Sequence, residues 1–372
     1  QKVSSIISYC TVPFLMMIWT LRFSLLAALL ANVASAKDLN LLMLGNSFSE
    51  AHHLEETLQS MLSARQTDTT VYADRFEHAS ANLTDYLGLE VSRAITKERP
   101  WTWVSLQEQS EIPGFYPPDD NDAREDLWDR SLETILELNQ EIQDAGATTI
   151  LFQTWGYLDQ DPLNPDIYTD YQEMQDHITK GYELFYKEIL KNDRRSNVKI
   201  APCGSAYNRI YNDIQAQGKD PLQEGSLFDQ LYEKNESPRK HPSAQGAYLC
   251  ACVLFQTLTG LDVRQSTPPS TVVGLDATTT KLLQEAAYRT VQEDYGTAPP
   301  ESTKTYRPNY DASRHSSASG RLHLLAAFLL GGGMLAGWIG WKWHSAAGAV
   351  HQQYHSGGYQ LADAGDMLME LI

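Results

Sequence analysis

Between residues 38 and 296, short apolar runs alternate with longer stretches whose apolar positions recur every three or four residues. The short runs, rich in β-formers, predict strands over 39–44, 70–73, 103–106, 149–153 and 198–201. The stretches 54–64, 126–145 and 168–190 have helical length and spacing, and a further apolar helix opens at Pro242-Ser243 and runs to about Thr259. Strand and helix in alternation predict a parallel sheet covered on both faces, a three-layer α/β/α sandwich. Sites in such sheets form beyond the carboxyl ends of the strands, so chemistry is expected in the residues that follow each run.

Outside this body the pattern changes. Arg22, the apolar run 25–31 and the small residues Ala34-Ser35-Ala36 read as a signal peptide over 1–36, the alternative being an N-terminal anchor over 6–34. Residues 297–320, with Pro299, Pro300, Pro308 and many Ser and Thr, read as a stalk. Residues 322–341 are apolar except for His323, long enough at about 1.5 Å per residue to span a bilayer core of roughly 30 Å. Trp338, Trp341 and Trp343 cluster at one end of that span, as interfacial aromatics do. The expected organisation is therefore a signal peptide, a hydrolase-sized domain over 37–296, a stalk, a membrane helix over 321–343 and a cytoplasmic tail over 344–372. This is a single-pass type I arrangement with the body lumenal or extracellular. Asn82-Leu83-Thr84 and Asn235-Glu236-Ser237 are then glycosylation sequons.

The chain has 372 residues and a formal charge of −18, with no Lys/Arg cluster able to track phosphates, which excludes nucleic acid as a partner. Its four cysteines form no CxxC pair, and no histidine spacing supplies a metal site. Cys203 with Cys250 or Cys252 is compatible with one disulfide, or all three with buried thiols.

Four segments carry chemistry, three of them directly after predicted strands. Gly45-Asn46-Ser47 follows the first, placing a hydroxyl at a strand-to-helix turn and its N–H near a helix N-terminus. Gln107-Glu108-Gln109-Ser110 follows the third and offers amide donors. Thr154-Trp155-Gly156-Tyr157 follows the fourth, where aromatics can wall a pocket or cap the core. His241 precedes the late helix on a loop. Singly, each is more often a turn, a loop or a cap.

In this order the segments resemble the SGNH (GDSL-like) hydrolase superfamily, closest to a branch with GNSF, LQEQS and HPSxxG blocks; the last reads HPSAQGAYLCACVLFQTLTG here. The resemblance spans roughly residues 38 to 262 and implies a flavodoxin-like fold. It implies Ser47 as nucleophile and His241 as base in ester hydrolysis, without metal or organic cofactor. The oxyanion hole would be formed by Ser47, Gln109 and a second-block residue, Ala79 or Ser80, where the branch has glycine. Asn46, Glu108 and Trp155 fall where a substrate pocket would lie. The superfamily's triad aspartate, three residues before the histidine, is here Pro238; Glu236 or Glu233 is left to reach the imidazole, or Ser47 and His241 act as a dyad. The implied substrate is an acyl ester, with acetyl or another short acyl group on carbohydrate fitting the expected location. The alternative is a weak or inactive membrane-tethered binding protein that keeps the fold.

Overall fold

The computed structural model describes residues 38–67, 69–76, 82–117, 121–270, 272 and 274–295. The expected signal peptide, stalk, membrane helix and tail lie outside them, as does Ser80. Among the described residues no helix is long and apolar enough to cross a membrane.

Five parallel strands form one sheet: β1 (Leu39–Leu44), β2 (Val71–Phe76), β3 (Trp103–Leu106), β4 (Thr148–Phe152) and β5 (Val198–Ala201), in the order β2-β1-β3-β4-β5. Every residue of β3 and β4 is buried. Since successive side chains point to opposite faces, both faces of the sheet are covered, which is why these strands lack the apolar-polar alternation of a half-exposed strand. The second strand departs most from expectation. It runs on through Asp74-Arg75-Phe76, because it is an edge strand in which all six residues pair with β1 while most side chains stay partly exposed.

The connecting helices are α1 (Leu54–Arg65), α2 (Asp122–Asp144), α3 (Tyr171–Asn192), α4 (Cys203–Ala216), α5 (Ala244–Thr259) and α6 (Ala277–Arg289), with shorter turns left unlabelled. α2 packs on α3, while α1, α4 and α6 all pack on α5. α5 is buried on every side from Gly246 to Leu258, as its composition requires. Gly246 is obligatory there: a Cβ would collide with the Leu231 carbonyl and the Tyr207 hydroxyl. Sequence periodicity misses α4 and α6. α4 opens Cys-Gly-Ser-Ala-Tyr-Asn, poor in strong helix formers, and is held by burial of Ala206, Tyr207 and Ile210 rather than by propensity. Cys203, Cys250 and Cys252 are free, buried thiols rather than a disulfide pair.

Candidate active site

The chain leaves β1 through Gly45, where a Cβ would strike the Ser49 hydroxyl and the Gln107 side chain. Asn46 then caps a single helical turn, Ser47–Glu50. Its Oδ1 accepts the Phe48 N–H at 3.1 Å, and its carbonyl accepts those of Ser49 and Glu50, each at 3.0 Å. The Ser47 N–H meets no acceptor among the described residues. It is therefore a free donor at the start of a helical turn, beside its own hydroxyl.

That hydroxyl lies 2.8 Å from Nε2 of His241, 194 positions later in the chain. The histidine sits on a loop closed by an antiparallel bridge between Tyr232 and Pro242, with the Glu233 N–H donating to the His241 carbonyl at 3.0 Å. Within the loop Glu236 turns inward: Oε2 is 2.5 Å from His241 Nδ1, and Oε1 accepts the N–H of Lys240 at 2.7 Å and of His241 at 2.5 Å. Burial by itself would raise the Glu236 carboxyl, but hydrogen bonds from the His241 ring and the two backbone N–H groups together hold it below the usual carboxylate range. An ionised carboxylate requires Nδ1 to carry the ring proton, leaving the Nε2 lone pair facing Ser47.

Arg239 ties this loop to the body. Its guanidinium reaches Asp159 and the buried Asp229, each at 2.8 Å. The Arg239 carbonyl accepts the Leu158 N–H at 2.8 Å, and the Lys240 carbonyl accepts Nε1 of Trp155 at 2.9 Å. Phe48 stacks on Trp155 at 4.9 Å and meets the His241 ring edge-on at 5.4 Å.

Three side chains expected at a pocket are therefore elsewhere. Trp155 is fully buried, stacked between Phe48 and Tyr207, and braces the histidine loop. Asn46 is a buried cap, and Glu108 is completely buried behind the third strand's exit. Large or hydrogen-bonding residues at these strand ends turn into the interior because partners wait there. Gln109 lies on the loop after β3; its Oε1 accepts the Glu111 N–H at 3.0 Å, and its amide nitrogen makes no hydrogen bond among the described residues. Asn82 is half-buried at the start of a 3₁₀ turn, its side-chain oxygen accepting the Thr84 hydroxyl, whereas Asn235 is exposed beside Glu236.

A cavity of about 420 Å³ opens on Ser47 and His241, lined also by Glu50, His52, Arg75 and Glu233. His52 Nε2 is shared between the Glu233 carboxylate at 2.9 Å and the Pro242 carbonyl at 3.1 Å. His52 and His53 both have left-handed backbones, with φ of 55° and 51°. Two such residues in succession are strained, and histidine is among the types that tolerate it. Sequence reasoning misses His52 and Arg239. The His-His pair directly after the first block is the available signal for the first; nothing local marks the other. His53, Glu55 and Glu56 bring possible metal ligands within 4.8 Å of one another, but Arg75 already holds Glu55 at 3.0 Å and its charge opposes a cation there.

Fold and site together define a class: an α/β protein with a serine, a histidine and a carboxylate linked in series at the carboxyl edge of a parallel sheet. The solved structures it resembles include a DUF4886 family protein, a protein described as an SGNH hydrolase and acetylxylan esterases. A DUF4886 family protein from Bacteroides uniformis is 18% identical, with a TM-score of 0.52 over 72% of this chain and 100% of that one, and shares its fold. A protein from Slackia heliotrinireducens, provisionally described as an SGNH hydrolase, is 21% identical with a TM-score of 0.42 over 59% of this chain and 99% of its own. An acetylxylan esterase from Geobacillus stearothermophilus is 13% identical with a TM-score of 0.39 over 60% and 96%. No protein-family model and no curated protein matches the chain.

Proposed function

We propose that the protein is a serine esterase in which Ser47 is the nucleophile, His241 the general base and then acid, and Glu236 the group that orients the imidazole. The observation that carries this reading is the unbroken series Ser47 Oγ to His241 Nε2 at 2.8 Å and His241 Nδ1 to Glu236 Oε2 at 2.5 Å. His241 takes the hydroxyl proton as Oγ attacks the ester carbonyl. The Ser47 N–H, with the Gln109 amide as second donor, receives the charge that develops on oxygen. Collapse of the tetrahedral species breaks the bond to the alcohol, which leaves with the proton from His241. Water then gives a proton back to His241, attacks the acyl-serine and releases the acid, restoring Ser47.

The cavity wall supports a hydroxyl-rich alcohol carrying a short acyl group. Glu50 and Glu233 carry acceptors and Arg75 a donor, beside apolar surface from Ala51, Pro242 and the ring carbons of His52 and His53. A long acyl chain gains about 0.8 kcal/mol per buried CH₂ only where an apolar channel receives it. The apolar segment at 322–341 supports action at a membrane, with this domain on the lumenal or extracellular side.

The test is hydrolysis of p-nitrophenyl acetate and labelling by a fluorophosphonate. Wild type should turn over and label, and Ser47→Ala should do neither. Labelling that persists in Ser47→Ala would place the nucleophile at another residue, and a wild type that neither labels nor turns over acetylated oligosaccharides would leave a binding protein on this fold.

A further inference from the structure

Resting on the esterase reading, we infer that Glu108 is a positioning residue for the reaction, holding the Gln109 loop in register with the Ser47 turn. Glu108 is completely buried, yet all its polar atoms are engaged. Oε1 accepts the N–H of Gln109 at 2.7 Å and of Leu83 at 3.0 Å, while Oε2 accepts the Ser131 hydroxyl from α2. Its own N–H donates to the Tyr182 hydroxyl at 3.2 Å, and its carbonyl accepts the Gln107 amide at 2.7 Å.

The neighbouring Gln107 completes the link to the nucleophile. Its Oε1 accepts the Asn46 N–H at 2.9 Å, and its Nε2 donates to Asn46 Oδ1, also at 2.9 Å. One side chain at the exit of β3 thus grips the residue before Ser47, while the next grips the residue carrying the second proposed oxyanion donor. A buried carboxyl is a costly way to fill space, and here burial pushes Glu108 up to about 7 against the hydrogen bonds that oppose it. An apolar side chain would fill the same volume but could not fix two backbone N–H groups on one oxygen. Donor placement matters because a shift of about 1 Å in such a group costs about 10²-fold in rate.

The experiment compares wild type, Glu108→Ala and Glu108→Gln in the full chain, measuring kcat and KM for p-nitrophenyl acetate and the rate of phosphonate inactivation. In Glu108→Ala, kcat and the inactivation rate should fall together by about 10²-fold while KM changes by less than about threefold. Glu108→Gln should stay within about tenfold of wild type, since its carbonyl keeps both N–H bonds and its amide can donate to the Ser131 hydroxyl. A folded Glu108→Ala with wild-type kcat, a loss confined to KM, or a Glu108→Gln as impaired as the alanine variant each overturns the assignment. If Glu108→Ala does not fold, Glu108→Met, of similar volume and without acceptors, decides by the same criteria. A wild type with no Ser47-dependent activity fails before any Glu108 variant is measured, which separates loss of the esterase reading from loss of this one.

Discussion

The Glu236 carboxylate holds His241 by two atoms of the same residue: Oε2 meets the ring at Nδ1, and Oε1 accepts the His241 backbone N–H, both at 2.5 Å. The grip fixes ring orientation and main-chain position together. It also accounts for Pro238 standing where the resemblance implies an acid. The bridge between Tyr232 and Pro242 folds the loop back on itself, so a carboxylate five positions upstream reaches the ring. Glu233, the other candidate acid, turns to His52 instead.

Glu236→Gln should lower kcat for p-nitrophenyl acetate by about 10³-fold or more with little change in KM, because the amide no longer stabilises the imidazolium or enforces the tautomer with its proton on Nδ1. Steady-state kinetics near neutral pH read this directly. Activity within tenfold of wild type would mean that Ser47 and His241 suffice as a dyad.

His53→Gly should stabilise the domain. The left-handed backbone at φ 51° costs a side-chain-bearing residue about 1 kcal/mol that glycine avoids. Among the described residues the exposed His53 ring has only a 3.8 Å contact with Glu56 to lose. Thermal unfolding should move up by about 2–4 °C. His52→Gly should gain less or lose stability, since it relieves the same strain but forfeits the bonds to Glu233 and Pro242.

Two carboxyls should give stability opposite pH dependences. Glu108 titrates at about 7 in the fold and about 4.3 unfolded, so the folded state binds the extra proton between these values. Its contribution is fully present below about 4.3 and is lost as pH rises towards 7. Glu236 is lowered in the fold, so its contribution is present above about 4.3 and is lost as pH falls through the depressed value. Urea unfolding from pH 4.5 to 8 should show Glu108→Gln with a smaller loss of stability towards neutral pH than wild type. An identical slope in both would show that Glu108 does not titrate in this range.

Much of the frame is legible in the apolar pattern alone. Three of the five strands fall where the apolar runs predict, and β4 is displaced by one residue, because a strand buried on both faces reads as a short, predominantly apolar run rather than an alternating one. The order of blocks, through its resemblance to SGNH hydrolases, points to Ser47 and His241; the parallel sheet delivers the Ser47 turn to its carboxyl rim, and His241 meets it there from a loop before the late helix. The sequence by itself therefore determined the class of fold and the two residues brought to that rim. Only the tertiary structure decided which acid meets the histidine, that Trp155, Asn46 and Glu108 turn inward, and that the cavity is walled by the strained histidine turn and an arginine from an edge strand. These outcomes depend on hydrogen bonds and packing between particular partners, from five positions apart for Glu236 and His241 to nearly two hundred for Ser47 and His241, and no local pattern of apolar and polar residues encodes such partners.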